Sequence, residues 1–279
     1  MILGLLVASI TGAALQGDTL YTWGDKLLAW TLPALTSRTI AIPTEPATAG
    51  CLTEDGTGLF LQEGGRLVYR KMPDWKPKEM DHGVDMHDCL AATLLGHRGV
   101  LVVHRGMQLR FYEFPDFQYR EIYSFYSRSR QDGLLLTDVD GDGRPDIICG
   151  NYWIKSPSDF DLPWHDFAIE LYNDQPLAAT LRLAWVEGDL LVAQGELANG
   201  RVSRFRKPPD PKQLWIEEPL GEFHFPRALT GTLIGENNGP RSRLFLNGKL
   251  AGHTNGIHTA FRYRDRFILI GPAGVRFRK

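Results

Sequence analysis

The chain has 279 residues, a formal net charge of −2 at pH 7, 43% hydrophobic residues and 23% charged residues. These values are ordinary for a globular protein and exclude a largely disordered chain. The sequence has no basic excess and no run of Lys and Arg, which argues against a nucleic-acid partner.

The first segment, residues 1–15, is apolar, but no Lys or Arg precedes its apolar run as in a secretory signal. It is also too short and too interrupted by glycine to cross a membrane. We therefore interpret it as part of the fold. No later segment predicts a membrane span.

A unit of about 40 residues then recurs along the chain. Each copy contains a strand, a tight turn, a second strand, a glycine-containing turn and a third strand, as at residues 13–30 and again at 92–112. This period is typical of a four-stranded propeller blade. The sequence predicts an all-β fold, a single β-propeller domain over residues 1–279, with seven four-stranded blades.

Seven positions are expected to lie near the starts of the second strands: Leu20, Leu59, Val100, Ile147, Leu190, Leu244 and Phe267. The interval before Leu244 is long and the next is short, so the sixth blade should be irregular, and six or eight blades stay open. Met86, Leu90 and Leu94 have helical spacing. We prefer a strand there because the matching segments of other units lack that spacing.

The three cysteines are Cys51, Cys89 and Cys149. Their odd number and wide spacing predict neither a disulfide framework nor a zinc site. Cys51 and Cys89 precede leucine at equivalent strand positions, so buried thiols are the expected state, with one disulfide as the alternative.

The fourth unit, expected at about residues 118–160, contains an aspartate-rich loop between two β-like runs. Asp138, Asp140, Asp142 and Asp146 lie within nine residues, with Gly141 and Gly143 between them. Oxygen ligands on a flexible loop suit Ca²⁺, and the carbonyl of Arg144 would add another ligand. An EF-hand is excluded because its twelfth position would be Cys149 instead of Glu, and no helices flank the loop.

This loop resembles that of the FG-GAP or VCBS-type repeat of β-propellers, a family that includes the integrin α-subunit head. The family's loop reads D-x-D-G-D-G-x-x-D, and the four aspartates match it residue by residue. The resemblance implies one structural Ca²⁺, on the face away from the ligand site. It also implies an extracellular or periplasmic protein, although the chain shows no clear signal peptide, and we expect a monomer.

The chain departs from integrins, because only one unit carries the full loop. The matching turn of the second unit, residues 53–58, is a degraded version with Glu54 and Asp55. An integrin-like adhesion role is therefore not expected.

Ligand sites of the resembled family lie at one mouth of the central channel, near the starts of the innermost strands. The candidates there are His87, Asp88, Arg130, Asp174, His224, Arg227 and His258. The wider set at such positions adds Glu45, His82, Asp85, Arg128, Asp132, Asn173, His253 and Asn255. The segment 82–88, HGVDMHD, is the densest cluster and the best single site prediction.

Two functions follow from this arrangement. The first is a calcium-stabilised module that binds a glycan or a protein. The second is a sugar lyase, dehydratase or isomerase with its site at the channel mouth. If three of His87, His224, His253 and His258 converge on one metal position, the enzyme is favoured; otherwise the binding module is favoured.

The last strand-like piece, residues 275–277, has no fourth strand after it, so its edge needs a partner. We predict that residues 1–9 supply the outer strand of the last blade. Deleting residues 1–9 should then lower the melting temperature measured by circular dichroism. An unchanged melting temperature would identify this segment as a signal remnant.

Overall fold

The computed structural model describes residues 9–104, 107–125, 132–170, 181–271 and 274–279, and it consists almost entirely of β-strands. Seven antiparallel sheets follow one another along the chain, and each pairs its strands in sequence order. Six sheets have four strands, and the seventh has three within the described residues. The predicted all-β, seven-bladed propeller is confirmed.

The first four blades have these strands. Blade 1 contains β1 Ile10–Gln16, β2 Thr19–Gly24, β3 Leu27–Thr31 and β4 Thr36–Ala41. Blade 2 contains β5 Ala47–Leu52, β6 Gly58–Glu63, β7 Arg66–Lys71 and β8 Pro77–His82. Blade 3 contains β9 Met86–Leu94, β10 His97–His104, β11 Met107–Glu113 and β12 Gln118–Phe125. Blade 4 contains β13 Leu134–Thr137, β14 Asp146–Cys149, β15 Tyr152–Lys155 and β16 His165–Ala168.

The last three blades are less regular. Blade 5 contains β17 Leu181–Val186, β18 Asp189–Gln194, β19 Gly200–Arg206 and β20 Ile216–Phe223. Blade 6 contains β21 Ala228–Thr230, β22 Leu233–Gly235, a 3-10 turn at Gly239–Arg241, β23 Ser242–Leu246 and β24 Lys249–Thr254. Blade 7 contains β25 Thr259–Tyr263, β26 Arg266–Gly271 and β27 Gly274–Arg278.

The first strand of each blade is the innermost, and neighbouring first strands pack against one another around a ring. The ring closes because β1 packs against β5 on one side and β25 on the other. Within the described residues, seven clusters of buried apolar side chains lie between successive blades. The core is therefore divided into seven inter-blade layers, and every blade depends on two neighbours.

The second strands are covered on both faces, which explains their continuous apolar runs. In β10, Val100 and Val102 pack toward blade 2, while Leu101 and Val103 pack toward blade 4. All four are fully buried. Each such side chain contributes roughly 1.5–3 kcal/mol relative to an exposed one.

Several hairpins close with two-residue turns. Leu95–Gly96, Glu187–Gly188 and Asn247–Gly248 all have positive φ angles at both positions. These are the angles of a type I′ turn, whose twist matches that of the flanking strands. The segment with helical spacing is strand β9, as preferred from the sequence.

Two boundaries differ from the sequence prediction. Leu244 lies in the third strand of blade 6, and the second strand is Leu233–Gly235. A three-residue strand leaves too short a pattern to recognise. The aspartate-rich segment does form the first two strands of blade 4, but that blade begins at Leu134, and Gln118–Phe125 belongs to blade 3.

The cysteines also differ from the expectation of buried thiols. Cys51 and Cys89 form a disulfide with Cα atoms 5.7 Å apart, and Cys149 is free and buried. The bond joins β5 to β9. Equivalent positions of the inner strands meet because those strands run side by side in the ring.

Residues 1–8, which carry the predicted closing strand, lie outside the described residues. The carbonyl of Ser9 accepts a hydrogen bond from the backbone N–H of Asp25 at 3.3 Å, next to β1 and β2. Among the described residues, no helix has the length and apolar character that crossing a bilayer needs.

Candidate functional site

A cavity of about 440 Å³ opens where the inner strands begin. Its wall includes residues of blades 1, 2, 3, 5 and 7 and one residue, Asp132, that precedes the first strand of blade 4. The polar wall residues are Thr11, Thr48, His87, Asp88, Asp132, Arg182, Glu196, His258 and Thr259. The cavity therefore lies at one mouth of the channel, and the aspartate-rich loop lies at the opposite end of the first strand of blade 4.

The wall follows a simple rule of strand position. Thr11, Thr48, His87 and Arg182 are each the second residue of a first strand. Alternate side chains of a strand point to opposite sides, so equivalent positions in the ring meet at the same level. Two threonine hydroxyls, an imidazole and a guanidinium therefore lie at the same level of the channel.

One aromatic side chain also contributes. Trp23 lines the cavity, and a side-chain carbon at Gly12 would lie 2.5 Å from its Nε1 atom. Glycine at position 12 thus lets the indole pack directly on the inner strand of blade 1.

Asp88 is the central acidic group of the wall. Its Oδ2 accepts backbone N–H bonds from Gly133 at 3.2 Å and Leu134 at 3.1 Å, which ties β9 to the start of β13. Burial, and then the nearby Asp132 carboxylate, raise the pKa of Asp88 to about 6, while Arg182 acts in the opposite direction. A carboxyl with a pKa near neutrality exchanges protons readily at physiological pH.

The same two carboxylates influence Cys149, on the neighbouring strand. Burial, followed by Asp88 and Asp132, raises the pKa of the Cys149 thiol. A raised pKa favours the protonated thiol, which is a weaker nucleophile than the thiolate.

In the same cavity wall, Glu196 binds two arginines. Arg227 Nη2 lies 2.5 Å from its carboxylate, and Arg182 Nη2 lies 3.5 Å away. Arg182 therefore makes the looser contact and remains on the cavity wall. His258 lies beside this group, and burial, followed by Arg227, lowers the pKa of its imidazole.

The structure brings some of the predicted residues together. His87, Asp88, Asp132 and His258 line the cavity, and Arg227 reaches it through Glu196. His224 is half-buried beside Phe225 and does not line the cavity. His82 and His253 are exposed on outer strands, and Glu45, Asp85 and Asn255 are also exposed. Arg128, Arg130, Asn173 and Asp174 lie outside the described residues.

Several wall residues were not predicted, namely Arg182, Glu196, Trp23 and the threonines Thr11, Thr48 and Thr259. The prediction considered the residues before each first strand and too little of the strand itself. Arg182 could have been predicted from the sequence, because it occupies the same strand position as His87. Glu196 and Trp23 follow or lie in second strands, and no pattern in the sequence marks them.

The histidines do not form a metal site. Across the described residues, the groups of three or more potential metal ligands within 4.8 Å of one another comprise only Asp138, Asp140 and Asp146. His87, His224, His253 and His258 are all described, so three of them do not converge. By the criterion set above, a binding module is favoured.

The aspartate-rich loop is folded around its own carboxylates. Asp138 accepts N–H bonds from Gly141 at 2.7 Å, Asp142 at 3.1 Å and Gly143 at 2.9 Å. Gly141 and Gly143 both have positive φ, which lets these amides point inward.

Asp146 closes the loop from inside the blade. It is fully buried and accepts bonds from Trp153 Nε1 at 2.9 Å and from the N–H of Ser156 at 2.8 Å. Burial, the largest influence, raises the pKa of this carboxyl. The two hydrogen bonds fix the position of the Asp146 carboxylate inside the blade.

A lysine supplies positive charge to the same loop. The ammonium of Lys155 contacts the carboxylate of Asp140 and lies 3.2 Å from that of Asp142. Asp142 also pairs with the guanidinium of Arg144. The carboxylates of Asp138, Asp140 and Asp146 form the cluster, whereas that of Asp142 lies near Lys155 and Arg144.

The corresponding turn of blade 2 is neutralised differently. Asp55 accepts bonds from the hydroxyls of Thr53 at 2.7 Å and Thr57 at 2.8 Å, and Arg98 of blade 3 lies 2.6 Å away. These contacts, first the Thr53 bond, lower the pKa of Asp55. In this turn, the guanidinium of Arg98 from the next blade supplies the positive charge that a metal ion would supply.

Solved structures share this fold. The chain is similar to the extracellular domain of a two component system protein of B. thetaiotaomicron, BT4673, at 11% identity and a TM-score of 0.67, covering 99% of this chain and 38% of that one. It is similar to the Swd1 β-propeller domain of Myceliophteria thermophila (12% identity, TM-score 0.62, covering 96% and 98%). It is also similar to BamB of Moraxella catarrhalis (13% identity, TM-score 0.58, covering 98% and 83%).

At these identities the similarity shows the fold alone. The chain spans about two fifths of the length of the B. thetaiotaomicron domain. No protein-family model and no curated protein matches the sequence. The resemblance to the FG-GAP repeat therefore stays a prediction.

The raised pKa of Asp88 predicts a pH dependence of stability. A folded pKa of about 6 against an ordinary value of 3.8 favours the native state when the group is protonated, so this contribution is lost as the pH rises from about 4 to 7. Asp88→Asn keeps an oxygen that accepts the Gly133 and Leu134 amides but cannot ionise. Relative to wild type, the variant should gain up to about 3 kcal/mol between pH 4 and pH 7 in urea unfolding. Parallel pH profiles of the two proteins would contradict the shift.

Proposed function

We propose that the protein is a binding module whose ligand enters the cavity at the channel mouth. The observation that carries this proposal is the cavity wall, where Asp88 of blade 3, Asp132 before blade 4, and Arg182 and Glu196 of blade 5 converge. Charged groups gathered in a concave site are costly for folding, and ligand recognition is the usual reason for such an arrangement.

The wall chemistry supports a hydroxyl-rich ligand such as the end of a glycan. Carboxylates accept hydrogen bonds from hydroxyl groups, and Arg182 and the threonine hydroxyls donate them. The wall presents three carboxylates, Asp88, Asp132 and Glu196, and one guanidinium, Arg182, so it suits an uncharged ligand better than a polyanion. A concave site of about 440 Å³ also accommodates a small ligand better than the broad, flat contact of a protein partner.

One observation favours the second candidate, a sugar lyase, dehydratase or isomerase. Asp88 combines a pKa of about 6 with a neighbouring carboxylate, Asp132, in the same cavity. Such a pair suits proton transfer to or from a sugar carbon or oxygen. Turnover of the bound sugar, followed by nuclear magnetic resonance, distinguishes this candidate from simple binding.

We also propose that the aspartate-rich loop binds one structural Ca²⁺. The oxygen donor set fits a hard cation, and the Lys155 ammonium occupies the position of a cation beside Asp140. Asp138, Asp140, Asp142 and Asp146, with the Arg144 carbonyl, would hold the ion, which would displace the ammonium. The ion would neutralise the loop that joins β13 to β14.

The disulfide supports an extracellular or periplasmic location, as the resemblance implied. Disulfides persist in oxidising compartments and are rare in the cytosol. The Cys51–Cys89 bond joins two inner strands beside the cavity, so it would also hold the wall around His87 and Asp88 in place.

The binding proposal predicts that a neutral oligosaccharide binds the wild type and that Arg182→Gln weakens this binding. Losing a charged hydrogen-bond donor should raise the dissociation constant about tenfold to a hundredfold in isothermal titration calorimetry. Arg38→Gln removes the same charge from an exposed outer strand and should bind as wild type does. Equal affinities of all three proteins would contradict the proposal.

The calcium proposal predicts a calcium-dependent melting temperature. Ca²⁺ at a hundred times its dissociation constant should stabilise the native state by about 3 kcal/mol, and EGTA should remove this effect. Asp140→Ala should abolish the calcium dependence while leaving ligand binding intact. Asp55→Ala, in the arginine-bound turn of blade 2, should lower stability but keep the dependence. If EGTA leaves the wild-type melting curve unmoved, the four carboxylates form a metal-free turn.

A further inference from the structure

The charge of the chain is divided unevenly. Residues 227–279 contain ten Lys and Arg but two acidic residues, so this last fifth carries a formal charge of +8, whereas the whole chain carries −2. Both acids are close to arginines: Glu236 lies 2.6 Å from Arg243, and Asp265 lies 3.8 Å from Arg266. Blades 6 and 7 therefore present an excess of positive charge.

Part of this charge converges in a cleft of about 300 Å³ between blades 6 and 7. One wall carries His253, Thr254 and Asn255 at the end of β24, and the other carries Arg276 and Arg278 of β27. None of the cleft-lining residues that the structure describes is acidic. Every polar side chain in this cleft is therefore able to donate a hydrogen bond to an anion.

The strand pattern places the arginines on an inward-facing side. Val275 and Phe277 pack into the apolar layer shared with blade 1. Side chains alternate along a strand, so Arg276 and Arg278 point to the other side, toward blade 6. Arg276 also pairs with Leu269, which belongs to the apolar layer between blades 6 and 7. Two guanidinium groups thus lie on the side of β27 that faces blade 6.

The two arginines are not neutralised there. Arg278 donates to the carbonyl of Ala251 at 3.0 Å. Within the described parts of the chain, the buried Nη2 of Arg276 and the buried Oγ1 of Thr254 have no hydrogen-bond partner. Burial, followed by the charge of Arg278, lowers the pKa of Arg276. Like charges this close are unfavourable unless an anion offsets them.

We propose that this cleft is an anion site that binds a phosphate or sulfate ester group. The guanidinium groups provide planar, paired donors, which suit the oxygens of such esters. Thr254, Asn255 and His253 approach from the opposite wall, so the donors surround the anion. A tetrahedral ester offers three terminal oxygens to these donors, whereas a carboxylate offers two.

The test is calorimetric titration of the full chain with inorganic phosphate and inorganic sulfate, at an ionic strength held constant with chloride. The wild type should bind at least one of these anions and bind acetate more weakly. Arg276→Gln and Arg278→Gln should each weaken binding about tenfold to a hundredfold. Arg278 is exposed, so its variant tests the site even if Arg276→Gln impairs folding.

Arg262→Gln is the matched control. Arg262 is an exposed residue of the same blade outside the cleft, and its loss removes the same charge. This variant should bind as wild type does. An equal loss in all three variants would show only a general field effect and overturn the site, as would no binding by the wild type.

Titration with a phosphate ester and a sulfate ester of one alcohol then identifies the natural chemistry. Tighter binding of either ester supports the site and assigns its ligand. If neither ester binds, the proposal is wrong. This test is independent of the test of the channel cavity. Arg182 lies outside the cleft, so Arg182→Gln should leave anion binding unchanged.

Discussion

The packing of each blade between two neighbours is the constraint on which the structure depends. A single four-stranded sheet has two apolar faces, as β10 shows with Val100 and Leu101 on opposite sides. Neither face is covered until the next blade is present, so the ring has to close for any blade to be stable. The layer between blades 7 and 1, with Leu20 and Ile268, completes that closure.

This geometry separates stabilising and functional residues. The second strands supply the apolar layers, while the ends of the first strands meet at the channel, where they need not be apolar. The disulfide between Cys51 and Cys89 joins two of those first strands close to the cavity. The charged side chains of the wall therefore lie outside the apolar layers between the blades, although Asp88 also ties β9 to the start of β13.

Two equivalent turns show how one fold accommodates clustered acidic groups. In blade 2, Asp55 receives an arginine from the neighbouring blade. In blade 4, the carboxylates outnumber the cations, and Asp138, Asp140 and Asp146 remain close together. The cleft between blades 6 and 7 is the reverse case, because Arg276 and Arg278 meet with no acid in its described lining. An ion of opposite charge would be attracted to each of these local excesses of charge.

The sequence by itself determined the fold class and the place of the aspartate-rich loop, and it favoured seven blades over six or eight. These depend on local patterns, namely the 40-residue period, turn residues and the spacing of Asp138 to Asp146. Short strands such as Leu233–Gly235 were missed because three residues hold too little pattern.

The tertiary structure alone decided which distant residues meet. It joined Cys51 to Cys89, placed Arg182 and Glu196 beside Asp88, and kept the histidines apart. It also set the two arginines of β27 against blade 6. These contacts link separate blades, and their side-chain partners depend on ring closure and strand twist, which a linear pattern does not encode.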